Sequence, residues 1–293
     1  MRRTGNVDRC DSDLTEPART QLLPRIRKAS TGSAQPATRT PDCYRQRDQG
    51  SGVLGHAGKG QYMLESLLLK LAQGAHLPEP LPTEPVTTLI EWYEDAMRES
   101  ATPMPNSMAL ATATPQGVPS VRFVLCKAIG TAGTIDFYTN FNSRKGDELA
   151  INPRIAGVFY WHTNARQARV EGAAERLSDE QADAYFATRP LASKLGAWAS
   201  RQSEPLPTRK AFVHDLLAAC RQLRIEPTAL LDADSPVQVP RPPHWGGFRV
   251  KLDRVELWYG AAGRLHDRAC WTRSQADAAA GVMTGWQGQR LYP

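Results

Sequence analysis

From Ser107 onward the apolar residues recur at every second position in one segment after another, the period of a half-buried β-strand, and no other feature constrains the fold as much. MALATAT (108–114) and VPSVRFVLCKAI (118–129) flank a PQG turn and read as a hairpin, and TIDFYTN (134–140) adds a third strand. RIAGVFYWH (154–162) and RQARVEGAAERLS (166–178) form a second hairpin pair, and further strands are predicted at 246–259, 264–273 and 285–292. Helical patterns are fewer and interposed: SRKGDELAIN (143–152), with Ser143 as N-cap and Pro153 as its stop, then 178–188, 191–200 and 208–224. Consecutive hairpins with a few helices between them predict a mainly β, α+β fold: a closed, Greek-key-like antiparallel barrel with peripheral helices.

The front of the chain is different. Residues 86–99 carry Leu89, Trp92, Tyr93 and Met97 at helical spacing, and 63–74 (MLESLLLKLAQG) reads as a short amphipathic helix. Residues 1–62 lack apolar periodicity, so they cannot bury enough surface to offset the entropy of ordering. The expected organisation is a disordered basic tail, 1–62, followed by a single domain, 63–293.

A formal charge of +6 raises the question of nucleic acid, but the charge is unevenly placed. Residues 1–60 hold 11 Lys/Arg against 6 Asp/Glu, whereas the remaining 233 residues hold 25 against 24. A basic tail without interleaved aromatics gives weak, salt-sensitive attraction, so no specific nucleic-acid binding is expected. No run approaches the roughly 18–20 apolar residues of a membrane helix. The five cysteines are odd in number and show no C-x-x-C spacing. That argues against a disulfide framework or a metal site and for a reducing, cytoplasmic compartment. Dinucleotide, Walker, H-E-x-x-H and G-x-S-x-G motifs are all missing. His162 and His244 sit beside tryptophans and read as packed or rim histidines, and Cys126 reads as a core thiol.

The chemistry-bearing residues are cations and polar groups inside strand-like or helical segments. Arg122 and Lys127 are five apart, on opposite faces of an ideal strand unless a bulge intervenes. Arg144 and Lys145 open a helix, where backbone amides and two cations suit a phosphate, with Gln202 and Ser203 as neutral donors. Each alone reads more plainly as a solvated surface cation. Tyr185, Arg189 and Ser193 are spaced by four, which suits a second phosphate although Pro190 must break the helix. Spacing alone favours the plainer reading, an exposed face with Tyr185 half-buried. Arg264, His266 and Arg268 alternate along a predicted strand and would share one face, a costly arrangement unless an anion or polar ligand meets them.

RFVLCK (122–127), FYTN-x-x-SRK (137–145), WHTNARQARVEG (161–172), YFATRPLASKLGAWASRQS (185–203), WGGFRV (245–250), ELWYG (256–260), RLHDR (264–268) and the terminal RLYP (290–293) resemble the pyridoxine/pyridoxamine 5′-phosphate oxidase family. The likeness covers about residues 85–293 in the family's order. It implies an FMN-binding split barrel that works as a homodimer, with FMN at the subunit interface. It implies oxidation of phosphorylated B6 vitamers to pyridoxal 5′-phosphate, with O2 as acceptor and release of H2O2. Carried over, it assigns FMN contacts to Arg122, Lys127, Tyr138, Thr139, Arg144, Lys145, Gln167, Gln202, Ser203, Trp258 and Arg268. Substrate contacts fall to Lys127, Tyr185, Arg189, Ser193, Arg264 and His266, the last two being the candidate catalytic pair. Two rivals stand beside it: a related split-barrel flavin oxidase acting on a phenazine-type precursor, and a non-catalytic protein that binds flavin or pyridoxal phosphate. The Tyr185, Arg189 and Ser193 set argues against the first, and the Arg264 and His266 pair against the second.

Overall fold

Alternation becomes hairpins in the order the sequence predicts. The computed structural model describes residues 76–293, save 100–102, 233–234, 274, 278–281 and 284, together with Tyr62, Met63 and Ser66. The basic tail and most of the helix predicted at 63–74 lie outside the described residues; Met63 and Ser66 are helical. Strands β1 (Ser107–Ala113), β2 (Pro119–Gly130) and β3 (Thr134–Asn140) pair antiparallel in sequence. The next strand, β4 (Arg154–Trp161), returns beside β1 rather than β3, which is the Greek-key step. It pairs with β5 (Arg166–Arg176). The long β6 (Trp245–Tyr259) then joins β3 to β5, so six strands close in the order β6-β3-β2-β1-β4-β5.

Beyond Leu252 the second half of β6 leaves β3 and pairs instead with β7 (Asp267–Thr272), whose other edge takes β10 (Gln287–Leu291). A short hairpin, β8 (Gln275–Asp277) with β9 (Val282–Met283), intervenes. The barrel is therefore split along β6. Its interior is filled by the inward set of each strand, with Leu110, Phe137, Phe159, Trp161 and Leu252 fully buried. Each such side chain contributes roughly 1.5–3 kcal/mol of transfer free energy. Helix α1 (Val86–Arg98) lays Leu89, Trp92 and Ala96 against this core.

The other helices sit where predicted. Ser143 caps α2 (Arg144–Ile151), and Ser178 makes a reciprocal capping box with Gln181 at the start of α3 (Asp179–Ala187). Thr188–Pro190 separates α3 from α4 (Leu191–Ala199), because proline has no amide hydrogen to continue the ladder. Thr208 caps α5 (Arg209–Leu223). Helices α3, α4 and α5 and the described residues of the 226–244 loop enclose a second apolar cluster, with Phe186, Leu195, Cys220, Val239 and Trp245 buried. None of the helices among the described residues is long and apolar enough to cross a membrane.

One predicted strand is shorter than expected, with a consequence for the site. Residues 264–266 are not part of β7: Ala262–Arg264 forms a 3-10 turn with Gly263 at φ 65° and Arg264 at φ 62°. Two left-handed residues in succession break the extended backbone, so the alternation reading of Arg264, His266 and Arg268 fails. Only Arg268 of the three is a strand residue.

Candidate functional site

The site is built first around Lys145. Strand β3 ends at Asn140, whose side-chain carbonyl accepts the Asn142 amide at 2.8 Å, and the Ser143 hydroxyl donates back to the Asn140 carbonyl at 2.7 Å. Gly146 is required by this tight entry, since a Cβ there would lie 2.0 Å from the Phe141 carbonyl oxygen. The turn throws Lys145 back toward the strand, where Nζ donates to Thr139 Oγ1 (2.9 Å), Ser143 Oγ (2.9 Å) and Gln202 Oε1 (2.7 Å). All three partners are neutral. Lys145 is 8% exposed, and burial, helped by the nearby Arg122 charge, lowers its pKa to about 8.

Arg122 and Arg144 are held differently. Both converge on the buried Glu148, Arg144 through Nε at 2.9 Å and Arg122 through Nη2 at 3.5 Å. Burial alone would raise the Glu148 pKa, but the hydroxyls of Ser120 and Thr112 and the Arg144 guanidinium outweigh it and hold the carboxyl at about 2. Arg122 also donates to the Leu110 carbonyl at 3.2 Å and to the Ser120 and Thr112 hydroxyls. The Arg144 amide meets Ser203 Oγ at 3.2 Å, which the left-handed Ser203 (φ 78°) makes possible.

Beside Lys145 a cavity of about 670 Å³ opens between the barrel wall and the helices. Its back is a stack of near-parallel rings: Tyr138 lies 4.0 Å from Tyr185 and 5.5 Å from Trp245. The Arg189 guanidinium sits 4.5 Å from the Trp245 ring, and Lys127 Nζ is 5.7 Å from the Tyr185 ring. Strands β2 and β3 shift register between Cys126 and Ala128, so Lys127 is the extra residue of a bulge and lines the cavity while Arg122 turns toward Glu148. Tyr185, Arg189 and Ser193 all line the same cavity despite the helix break at Pro190. Arg189 Nη1 is buried without a hydrogen-bond partner, and burial lowers this guanidinium's pKa. Among the described residues the lining holds three cations, Lys127, Lys145 and Arg189, and no carboxylate.

The remaining expected residues form a second group. Gln167 on β5, Trp258 on β6 and Arg268 on β7 are direct cross-strand neighbours in one row. The His266 ring packs 4.7 Å from Trp258, and its Nδ1 accepts the Ala261 amide at 3.1 Å. An amide can only donate, so a neutral His266 carries its proton on Nε2. Arg268 is paired with the buried Glu256 at 2.8 Å, and Arg264 is exposed on its left-handed turn. None of Gln167, Trp258, Arg264, His266 and Arg268 lines the cavity.

Three contributors lay outside the sequence expectations. Glu148 was signalled only by its i, i+4 spacing from Arg144. Trp245 and Phe212, both lining the cavity, carry no chemical signature and emerge only from packing. The Cys126 thiol is a core group, pushed up to about 12 by burial. His244 is half-buried with Nε2 3.0 Å from the Ala197 carbonyl, and His162 is exposed.

The site is thus a cationic cavity set between a split antiparallel barrel and its helices. Residues 94–219 match the family described as pyridoxamine 5′-phosphate oxidase, and residues 245–293 match the pyridoxine 5′-phosphate oxidase C-terminal dimerisation region. The chain is 45% identical over 210 residues to a pyridoxine/pyridoxamine 5′-phosphate oxidase of Rubrobacter xylanophilus, covering 72% of this chain and 87% of the relative. It is 43% identical over 213 residues to the enzyme of that name from Gluconobacter oxydans, covering 73% and 96%. The chain belongs to the pyridoxine/pyridoxamine 5′-phosphate oxidase family. Among solved structures, PhzG from Burkholderia lata in complex with tetrahydrophenazine-1-carboxylic acid aligns with a TM-score of 0.61 at 28% identity, over 72% of this chain and 94% of that one. An FMN-binding protein related to pyridoxamine 5′-phosphate oxidase from Nostoc punctiforme aligns at 0.53 and 16% identity over 72% and 98%, a likeness of fold alone.

Proposed function

We propose that the chain is an FMN-dependent oxidase that converts pyridoxamine 5′-phosphate and pyridoxine 5′-phosphate to pyridoxal 5′-phosphate with dioxygen as acceptor. The observation that carries this reading is the cavity's three cations without a carboxylate, one of them an arginine with an orphaned buried nitrogen. A buried Lys145, a half-buried Arg189 and an exposed Lys127, all without acidic partners, call for anions, and two phosphates supply them.

The residues divide into two anion sites. Lys145, with Arg122, Arg144 and the Gln202–Ser203 turn beside it, fits the phosphate of flavin mononucleotide. Lys127, Tyr185, Arg189 and Ser193 fit the phosphate of the vitamer. When bound, the flavin would supply a two-electron acceptor that dioxygen re-oxidises to hydrogen peroxide: loss of hydride from C4′ and a proton from the hydroxyl takes pyridoxine phosphate to the aldehyde, while pyridoxamine phosphate gives an imine that water hydrolyses with loss of ammonia. The protein's share is binding and orientation: the phosphate clamp fixes one end of the vitamer, and the ring stack excludes water behind it.

Arg264 and His266 are assigned to the pyridine ring, and Gln167, Trp258 and Arg268 to the flavin. Since these five do not line the cavity of their own chain, the site is completed by a second copy. An apolar outer face connects the two groups. Val121 and Phe123 on β2 are 70% and 76% exposed, Tyr160 on β4 is 61% exposed, and the small Ala109 and Ala111 on β1 lie between these strands. Small residues flanked by exposed apolar ones let another sheet approach closely, and residues 245–293, which carry the second group, match the family's dimerisation region.

The test is direct. The purified protein should be yellow, take up stoichiometric FMN, run as a dimer and form aldehyde from both phosphorylated vitamers. A protein that binds no flavin, or that holds flavin and makes no aldehyde, ends this reading. The likeness to PhzG supports a second reading, oxidation of a phenazine-type precursor. Turnover of a dihydrophenazine carboxylate in preference to the vitamers would select it.

A further inference from the structure

Helix α3, which carries part of the proposed vitamer-phosphate set, meets the barrel through rings: Phe186 lies 5.0 Å from Trp245 and Tyr185 lies 4.0 Å from Tyr138. Helix α3 bears Tyr185, Arg189 follows it, and α4 bears Ser193. A cleft of about 420 Å³ separates α3 from the strap that leads into β6, lined by Asp183, Phe186, Val239, Pro240 and Pro243. Ring contacts hold α3 at Trp245, but beside them the cleft keeps the helix and the strap apart. What crosses this gap is Arg241.

Arg241 lies in the run Pro240-Arg241-Pro242-Pro243, where proline rings restrict the backbone on both sides. Its side chain is 9% exposed, although both acidic partners are largely in solvent. Nε donates to Asp183 Oδ1 at 2.6 Å, Nη2 to Asp179 Oδ1 at 2.6 Å, and Nη1 to the Trp245 carbonyl at 2.6 Å. The two acids are i, i+4 neighbours on one face of α3, so a single planar fork fixes that helix in rotation as well as translation. The third contact ties the same fork to Trp245, whose ring stacks with Tyr138 and Tyr185 and lies under the Arg189 guanidinium. The neighbouring strap residues hold α4: Trp198 Nε1 donates to the Pro240 carbonyl at 2.8 Å, and His244 Nε2 is 3.0 Å from the Ala197 carbonyl.

We infer that Arg241 is a positioning residue of the substrate site: without touching the ligand, it sets Tyr185 and Arg189 at the vitamer phosphate by locking α3 to Trp245. This rests on the proposed assignment of those two residues. Losing the lock should let α3 turn and misplace both groups while leaving the Lys145 pocket intact, because α2 and β3 make no use of Arg241. Misplacement short of 1 Å should raise the KM for pyridoxine 5′-phosphate on the order of 10-fold, with kcat at saturation changed far less.

The experiment uses the flavin-loaded, full-length dimer and compares Arg241→Met, Arg241→Lys and the double variant Asp179→Asn/Asp183→Asn. KM and kcat, the dissociation constant of the product pyridoxal 5′-phosphate, and FMN affinity are measured for each. Arg241→Met should show raised KM and weakened product binding with unchanged FMN affinity. Lysine should rescue partly, since one ammonium cannot span three acceptors. The double variant, whose acids are exposed and whose amides keep the size of the side chains, should move KM in the same direction. Wild-type KM and product affinity in the double variant, or in a folded Arg241→Met, overturn the inference. Failure of the wild-type protein itself to bind either phosphorylated vitamer overturns instead the functional reading beneath it.

Discussion

The two groups of polar residues on this chain differ in how their charges are met. Around the cavity, Lys127, Lys145 and Arg189 face a lining without a carboxylate, and Lys145 is buried among neutral oxygens. In the Gln167–Trp258–Arg268 row the arginine is already paired with the buried Glu256, which also takes Arg169 at 3.2 Å. The first group is electrostatically incomplete and needs an anion. The second is nearly neutral within the chain and presents ring surface, the Trp258 indole with the His266 imidazole against it. An incomplete charge set is completed by a ligand; a charge-paired one near an exposed apolar face, in which Arg268 Nε is still buried without a hydrogen-bond partner, is completed by another surface. That contrast is why a homodimer is proposed, with each cavity closed by the partner's Trp258 row.

The comparison breaks most severely if the copies are forced apart. Val121→Asp puts a carboxylate on the apolar face, and burying it unpaired costs several kcal/mol. Sedimentation should report a monomer with intact circular dichroism and no turnover; an active dimer refutes the composite site. Next in size is Arg189→Ala. Removing a charge-assisted phosphate contact should cost about 2–5 kcal/mol, seen as raised KM with FMN affinity unchanged. Loss of flavin at unaltered KM would show that the two anion sites are wrongly divided.

A comparable probe of the second group is Arg264→Ala, which should fold, dimerise and keep FMN, yet slow anaerobic flavin reduction by about 10²-fold through ring misplacement. Wild-type bleaching rates in stopped flow remove Arg264 from the site. The smallest effect is on pH. Burial lowers the Lys145 pKa from its ordinary 10.5 to about 8, so between those values the unfolded chain holds a proton that the folded chain has released. The burial penalty on the ammonium is thus fully present below about 8 and is relieved as pH rises, so the apoprotein gains stability from this group toward 10.5. Anion binding needs the charged form and moves the opposite way: FMN affinity of the apoprotein should fall about 10-fold from pH 7 to pH 9. Lys145→Met should bind weakly at both; an unchanged pH slope in that variant reassigns the titration.

Much of this was legible one residue at a time. Ser143 announced α2 because capping is a local exchange of hydrogen bonds between residues three apart, and the structure uses the same device at Ser178 and Thr208. Strand existence followed from alternation, since a half-buried strand must alternate wherever it sits in a sheet. Arg264 shows where that logic stops: the R-L-H-D-R pattern alternates, yet two left-handed residues end the extended backbone before it begins. Lys127 is similar, because a bulge depends on the partner strand, and only pairing with β3 reveals the extra residue.

By itself, then, the sequence determined the hairpins, the capped helices, the barrel class and the identity of the cations, all consequences of local spacing and backbone chemistry. Only the tertiary structure decided which cations stay without an acid. Glu148 claims Arg122 and Arg144, Glu256 claims Arg268, and Asp179 with Asp183 claims Arg241, while Lys145 and Arg189 are left to a ligand. Those pairings join residues from separate elements, and Coulomb attraction depends on distance in space, which residue spacing along a chain does not encode.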